Sequence, residues 1–341
     1  MTAKRIGFFT RLLEKAPAGE RYRLATEQIC HAEALGFDSA WVAQHHFHEH
    51  EGGLPSPLLF LAHAGAHTRK IRLGTAIITL PMENAIRVAE DAAVLDLLTG
   101  GRLELGLGSG GTPGSFEPFG QTFDQRAETF AVNLAVLQQG LRGAPLQQTA
   151  NCLYPAAPQL TDKLWIATFS AEGAERAGKA GLGLMLSRTQ PRPAGQPGLA
   201  LDELQNPLID AYLAALPAGT EPRILASRTA FVADDRQYAR KIALPGLTAQ
   251  AEGYRQSGHQ LRGETLDDYI GQFDAHIGDP PDVLASLLRD SCLSRVTDIS
   301  FQVHSVEPEH GDVLRSLELL SRYITPVLRN TAPESLPERS L

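Results

Sequence analysis

The chain has 341 residues, 43% of them hydrophobic and 21% charged, with a formal net charge of −8. That length holds one large core or two smaller ones, and an acidic balance with no Lys/Arg-rich block argues against nucleic acid or an anionic membrane as a partner. Cys30, Cys152 and Cys292 are odd in number and far apart, which gives neither a disulfide framework nor a metal spacing and fits a reducing cytoplasm.

The apolar run Ile6 to Phe9 reads as a first strand and not as a signal peptide, and no window reaches the roughly 18 apolar residues of a membrane span. Tyr22 to Leu35 carries apolar or small residues at a helical period and ends at Gly36, where a helix C-cap belongs. Ser39 to Ala43 is a short buried strand that runs straight into His45, His46, His48 and His50. A helix over Pro57 to Ala66 and a strand over Ile71 to Thr79 follow, then a helix over Ala85 to Leu98 stopped by Gly100-Gly101. Arg102 to Gly108 is a fourth strand that opens into Ser109-Gly110-Gly111. After a helix over Ala127 to Leu141, a fifth strand covers Leu164 to Thr168, followed by Ser170 and a helix over Ala171 to Ala180. Further strands are predicted at Leu182–Ser187, Ile224–Val232 and Val296–Val303, with helices at Pro281–Leu288 and Val313–Leu328.

Eight strands, most followed by a helix, predict an α/β fold of the (β/α)8 TIM-barrel type. It is expected as a single domain over 1–330, with a flexible tail over 331–341. Thr112–Gln125, Thr189–Pro222 and Pro245–Asp279 exceed the minimal repeat and are expected as long loops over the C-terminal mouth, the second with a short helix over Asp202–Leu216.

Strands of such a barrel end in its chemistry, and histidine titrates near neutrality. His45 and His46 adjoin a strand end, and at least one of them is expected to line the site, whereas His48 and His50 read as a solvated loop. His46-x-His48 also matches the first ligand pair of a metallohydrolase barrel, but the fifth and sixth strands end Thr168-Phe169-Ser170 and Leu186-Ser187-Arg188 and add no imidazole. No metal is expected. Ser109-Gly110-Gly111 and Ser170 with Gly173 are small, polar turns on neighbouring strands, suited to bring backbone N–H groups to one phosphate, and Arg126 could add a cation. They are neither a Walker loop nor the dinucleotide fingerprint.

The chain resembles the bacterial luciferase-like flavin monooxygenases. The resemblance is carried by Gly36-Phe37-Asp38-Ser39-Ala40-Trp41 leading to Gln44-His45-His46-Phe47, by Arg72-Leu73-Gly74-Thr75-Ala76 with Leu80-Pro81, and by Glu90-Asp91, Leu95-Asp96 and Gly101-Arg102. Gly106 to Gly110, Phe119-Gly120 and Ser170 complete it. The resemblance implies a barrel that binds reduced FMN at its strand C-termini, usually as a dimer. It implies that a separate reductase delivers the reduced FMN. It further implies reaction with O2 through a flavin C4a-hydroperoxide to oxidise a small organic substrate. By position, His45 matches the family's catalytic histidine and Ala76-Ile77 its non-prolyl cis peptide under the flavin ring. Gln44, Thr168, Ser109, Gly110, Ser170, Gly173 and Arg126 fall at cofactor-binding positions. Gln44 stands where the family commonly has an acid, and Gly108-Ser109 where luciferases have Cys-Arg. The alternatives are an F420-dependent dehydrogenase or reductase of the same fold and a catalytically silent flavin-binding protein.

Overall fold

Two tryptophans and the glycines opposite them fix the way the first strands pack. The computed structural model describes residues 3–146, 148–193, 195–256, 258, 260–261, 263–304 and 308–331. Its contacts divide between two compact units, one of Phe8–Thr168 with Ala180–Met185 and the other of Met1–Gly7, Phe169–Lys179 and Leu186–Leu341.

The first unit takes in half of β1 (Arg5–Thr10), most of β7 (Gly183–Leu186), and all of α1 (Ala18–Ala34), β2 (Ser39–Val42), α2 (Pro57–His67) and β3 (Arg72–Thr75). It continues with β4 (Ile78–Thr79), α3 (Ala85–Leu98), β5 (Leu103–Gly108), α4 (Arg126–Leu141) and β6 (Leu164–Ala167). Trp41 pairs in register with Gly74, and Trp165 with Gly183. Each indole lies over its glycine: a Cβ at Gly74 would fall 2.1 Å from Trp41 Cε3, and one at Gly183 would fall 2.3 Å from Trp165 Cε3. The two buried indoles meet edge to face at 5.8 Å, the geometry that aromatic quadrupoles favour. Their N–H groups are satisfied by Ser39 Oγ at 2.9 Å and Glu104 Oε2 at 2.7 Å, as buried donors require.

Arg102 explains the Gly101-Arg102 motif structurally. Its guanidinium donates to the carbonyls of Ile71 and Gly65, both at 2.9 Å, and to Thr68 Oγ1 at 2.9 Å, capping the end of α2. Asp96, buried in α3, accepts from Gln159 Nε2 at 2.9 Å and pairs with Lys163 Nζ at 3.2 Å. These two motif residues hold the scaffold together.

The second unit adds α5 (Ala171–Lys179), α6 (Leu201–Ala215), β8 (Ile224–Val232), α7 (Arg236–Gln256), α8 (Leu266–Gln272), β9 (Ala275–Gly278) and α9 (Pro280–Leu288). It ends with α10 (Cys292–Arg295), β10 (Asp298–Gln302), α11 (His310–Leu319), a π-turn over Leu320–Ile324 and α12 (Thr325–Asn330). Helix α7 corrects the expected loop over 245–279. It runs through Pro245 because Ala239, Ala243, Leu247 and Ala251 keep a buried stripe on both sides of the proline. The same stretch also forms α8 and β9.

The strand order is β10-β1-β2-β3-β5-β6-β7-β8, with β8 pairing back to β10 and with β4 and β9 attached to β5 and β8. Eight strands closed in this way make the (β/α)8 barrel. The expected strand over 71–79 is broken in two. Gly74 lies opposite Glu104 but Ile78 lies opposite Leu107, so four steps on one strand answer three on the other. This is a bulge and it falls at Thr75 to Ile77, where Thr75 Oγ1 takes over the ladder by accepting from Gly106 N at 2.9 Å and donating to Gly106 O at 2.8 Å. Of the expected tail, only Thr331 lies within the described residues. Among those residues no helix is long and apolar enough to cross a membrane.

Candidate active site

The site is assembled in the first unit, where parallel strands present their C-terminal ends in register. Along Leu73 to Pro81 every residue is buried except Ala76 and Ile77, and the peptide between those two is cis. Buried strands elsewhere in the unit change character at the same edge. Gly108 is buried but Ser109 and Gly110 are half-exposed, and Ala167 and Thr168 are half-exposed at the end of β6. The result is a small, apolar, partly open floor flanked by polar turns.

The histidine loop leaves β2 beside this floor. Gln44 is buried and fully engaged as a tether: Nε2 donates to Pro55 O at 3.2 Å and to Glu83 Oε1 at 2.7 Å, and Oε1 accepts from Thr79 N at 2.7 Å. It ties the loop to β4 just beyond the bulge. Burial raises the Glu83 pKa above the usual carboxylate value, partly offset by the Gln44 donor. The loop then closes on itself, His45 N donating to Leu54 O at 2.9 Å.

His45 is half-exposed, and its ring lies on the backbone of Gly52, where a Cβ would fall 2.5 Å from Cδ2. Its Nδ1 is 3.7 Å from Glu51 Oε2, and the same oxygen accepts from Thr112 Oγ1 at 3.3 Å. His46 has a different character. Its Nε2 is buried with no hydrogen-bond partner among the described residues, its ring meets Phe119 edge-on at 4.7 Å, and burial lowers its pKa below the ordinary imidazole value, favouring the neutral ring. His48 and His50 are exposed and stack loosely at 5.7 Å.

Beyond β5, Gly110 has φ +81°, and a Cβ there would meet Thr79 Cγ2 at 2.5 Å and Phe116 Cζ at 3.0 Å. Both facts require glycine at this turn. The segment 112–125 folds into three 3-10 turns, Pro113–Ser115, Glu117–Phe119 and Phe123–Gln125, anchored by buried Phe116, which packs edge-on against Phe123 at 5.2 Å. Arg126 opens α4 with its guanidinium 3.8 Å over the Phe123 ring and Nη1 donating to Phe123 O at 3.0 Å. Phe123 thereby sets the direction of this cation.

Ser170 and Gly173 belong to the second unit. Ser170 Oγ accepts from Gly173 N at 3.1 Å and caps α5, so the Gly173 N–H is engaged within the chain. The second unit also holds a cleft of about 810 Å³ lined by Arg188, Gln190, Arg192, Tyr254, Phe273 and Asp274 among others. Arg192 pairs there with Asp274.

Sequence reasoning missed Glu51, Thr112 and Glu83. An acid six residues after His45, in a loop without periodicity, gives no signal until the loop is closed. Among the described residues no group of three or more His, Cys, Asp or Glu could hold a metal ion.

The chain matches the family model described as luciferase-like monooxygenase over residues 6–289. It is 35% identical over 183 residues to the 4-hydroxyprotoasukamycin monooxygenase of Streptomyces nodosus subsp. asukaensis, covering 50% of this chain and 48% of that protein. The chain spans about half the length of the curated relatives it matches. The crystal structure of the monooxygenase RslO1 from Streptomyces bottropensis has a TM-score of 0.76 at 23% identity, covering 95% of this chain and 99% of that one. The oxygenating constituent of 3,6-diketocamphane monooxygenase from Pseudomonas putida, solved in complex with FMN, has a TM-score of 0.73 at 16% identity, covering 95% and 98%. At these identities the two structures show a shared fold.

Proposed function

Because the chain belongs to the luciferase-like monooxygenase family, we propose that it is a reduced-FMN-dependent monooxygenase of a small organic substrate. The observation that carries this reading is the half-exposed pair Ala76-Ile77 inside an otherwise buried run. A flat apolar ring laid on that pair would remove it from water, and the hydrophobic effect favours such burial by about 25 cal/mol per Å². The orphaned Nε2 of His46 and the glycine-lined turn at Ser109 and Gly110 fit a site completed by a bound aromatic, phosphate-bearing group.

Ala76 and Ile77 would support the isoalloxazine, and Gln44 would hold that strand in place through Thr79. Ser109, Gly110 and Arg126 would offer a hydroxyl, close backbone and a cation to the phosphate. Thr168 would close the floor on the β6 side. When bound, reduced FMN supplies the two electrons that activate O2. His45 holds and moves the proton at its imidazole, and His46 packs the loop against Phe119 so that water is kept from the floor. In this reading a separate reductase supplies the reduced FMN, the enzyme works as a cytoplasmic homodimer, and O2 is the co-substrate.

Calorimetric titration with FMN, reduced FMN and F420, followed by O2-uptake measurements, tests it. Binding of reduced FMN with substrate-coupled O2 uptake is expected. In the His45→Ala variant, flavin binding should survive while coupled oxidation falls about 100-fold or more, the lower range for loss of a general acid or base. Binding of F420 alone would make the protein a dehydrogenase or reductase. Tight FMN binding without O2 uptake would make it a silent flavin-binding protein.

A further inference from the structure

We propose that Glu51 is the positioning residue for His45, fixing which ring nitrogen carries the proton. The proposal rests on the reading of His45 as the proton-carrying group. A carboxylate facing one nitrogen of an imidazole favours the tautomer with its proton on that nitrogen, and leaves the other basic. Glu51 Oε2 lies 3.7 Å from Nδ1, too long for a direct hydrogen bond and close enough for the charge to act. Nδ1 is then the protonated nitrogen, and Nε2 is the atom that accepts and returns a proton. When Nε2 takes that proton, the positive ring faces a fixed negative charge.

Both partners are held from several sides. Gly52 leaves no space beside Cδ2 and Cγ, so the ring cannot swing toward that backbone. The Glu51 backbone N–H donates to His48 O at 3.0 Å, and its carbonyl accepts from Arg11 Nη2, which reaches over from the turn after β1. Its carboxylate accepts from Thr112 Oγ1, which comes from the loop after β5. Among the described residues, Glu51 from the histidine loop and Arg11 from the turn bring charge to this point. Glu49, the other acid of the loop, turns away, with Oε2 3.9 Å from Arg21 Nη2 and its carbonyl accepting from Arg21 Nη1 at 2.9 Å. The loop thus brings one of its two carboxylates to His45 and commits the other elsewhere.

Glu51→Gln removes the charge and keeps the shape. The Arg11 hydrogen bond is to the Glu51 carbonyl, so it survives in Glu51→Gln and the loop should still fold, although the charge of Arg11 loses the Glu51 carboxylate it now meets. In the full chain without flavin, the His45 imidazole is titrated by NMR, its signal identified by its disappearance in His45→Ala. The expected result for Glu51→Gln is a midpoint moved to lower pH. With reduced FMN and substrate, kcat should drop about tenfold at unchanged KM, a part of what a general acid–base group supplies, and the pH profile should shift with the midpoint. Glu51→Asp, which restores the charge, should recover part of both. An unmoved midpoint and pH profile in Glu51→Gln, beside an inactive His45→Ala, would overturn the role of Glu51 alone. Full turnover in His45→Ala would show that the pair positions nothing catalytic, and the proposal would fall with the reading of His45.

Discussion

The imidazole of His45 rests on the backbone of Gly52, with space for a hydrogen there and not for a methyl group: a Cβ would fall 2.5 Å from Cδ2 and 2.9 Å from Cγ. Gly52→Ala must push the ring off its seat. A displacement of about 1 Å at a reacting group costs up to about 100-fold in rate. Coupled turnover should therefore fall by at least about tenfold, while the melting temperature falls much less than for a core substitution. Steady-state kinetics beside a thermal melt decide it, and wild-type turnover would mean that the ring is free to settle elsewhere.

Gly74 supports the other end of the same strand system. A side chain there would strike the Trp41 ring at 2.1 Å, and Trp41 is fully buried against Trp165. Overpacking a well-filled core costs about 1–3 kcal/mol, so Gly74→Ala is expected at the upper end of that range, about 3 kcal/mol. Urea unfolding measures it, and a change below about 1 kcal/mol would show that the indole has room to move.

Gln44→Ala would leave the Thr79 N–H, the Pro55 carbonyl and the Glu83 carboxylate without their present partners. A buried group left unsatisfied costs about 1–3 kcal/mol. Because Thr79 follows the Ala76-Ile77 floor by two residues, flavin affinity should weaken along with stability. Calorimetric titration at a temperature where the variant is folded separates the two effects, and unchanged affinity would confine Gln44 to the scaffold.

Glu33 makes a pH-dependent latch at the entry to β3. Its carboxylate accepts from the backbone N–H groups of Arg69 at 2.8 Å, Lys70 at 2.6 Å and Ile71 at 2.9 Å. Burial pushes its pKa up, but the three N–H groups and Arg102 together hold it below the ordinary glutamate value. A folded pKa below the unfolded one stabilises the fold above the unfolded value, near pH 4.5, and that contribution is lost as pH falls through the folded pKa. Glu33→Gln should cost about 1–2 kcal/mol at pH 7, with the difference from wild type shrinking at a pH below the ordinary glutamate value. Urea unfolding at both pH values checks the sign.

Much of this architecture was legible because apolar periodicity and glycine placement are local signals. Ala85–Leu98 and Ile224–Val232 have the same bounds in the sequence reading and in the structure. The strand over 71–79 was not read as broken because a bulge is defined by the partner strand, and the partner's register lies 30 residues away. The loop expected over 245–279 hid α7, α8 and β9 because Pro245 outweighed a buried stripe whose burial only packing reveals. The role of Gln44 was equally hidden, since its contacts come from Pro55, Thr79 and Glu83.

The sequence by itself determined the alternation of strands and helices, the strand end at which the histidines stand and the resemblance to flavin monooxygenases. These follow from side-chain polarity and spacing, which act over a few residues. The tertiary structure decided that Trp41 lies over Gly74, that Ala76 and Ile77 are the half-exposed residues of a buried run, and that Glu51 faces His45. Those relationships need the register of neighbouring strands and the closure of a loop. Both are set by packing between residues that sequence spacing does not bring together.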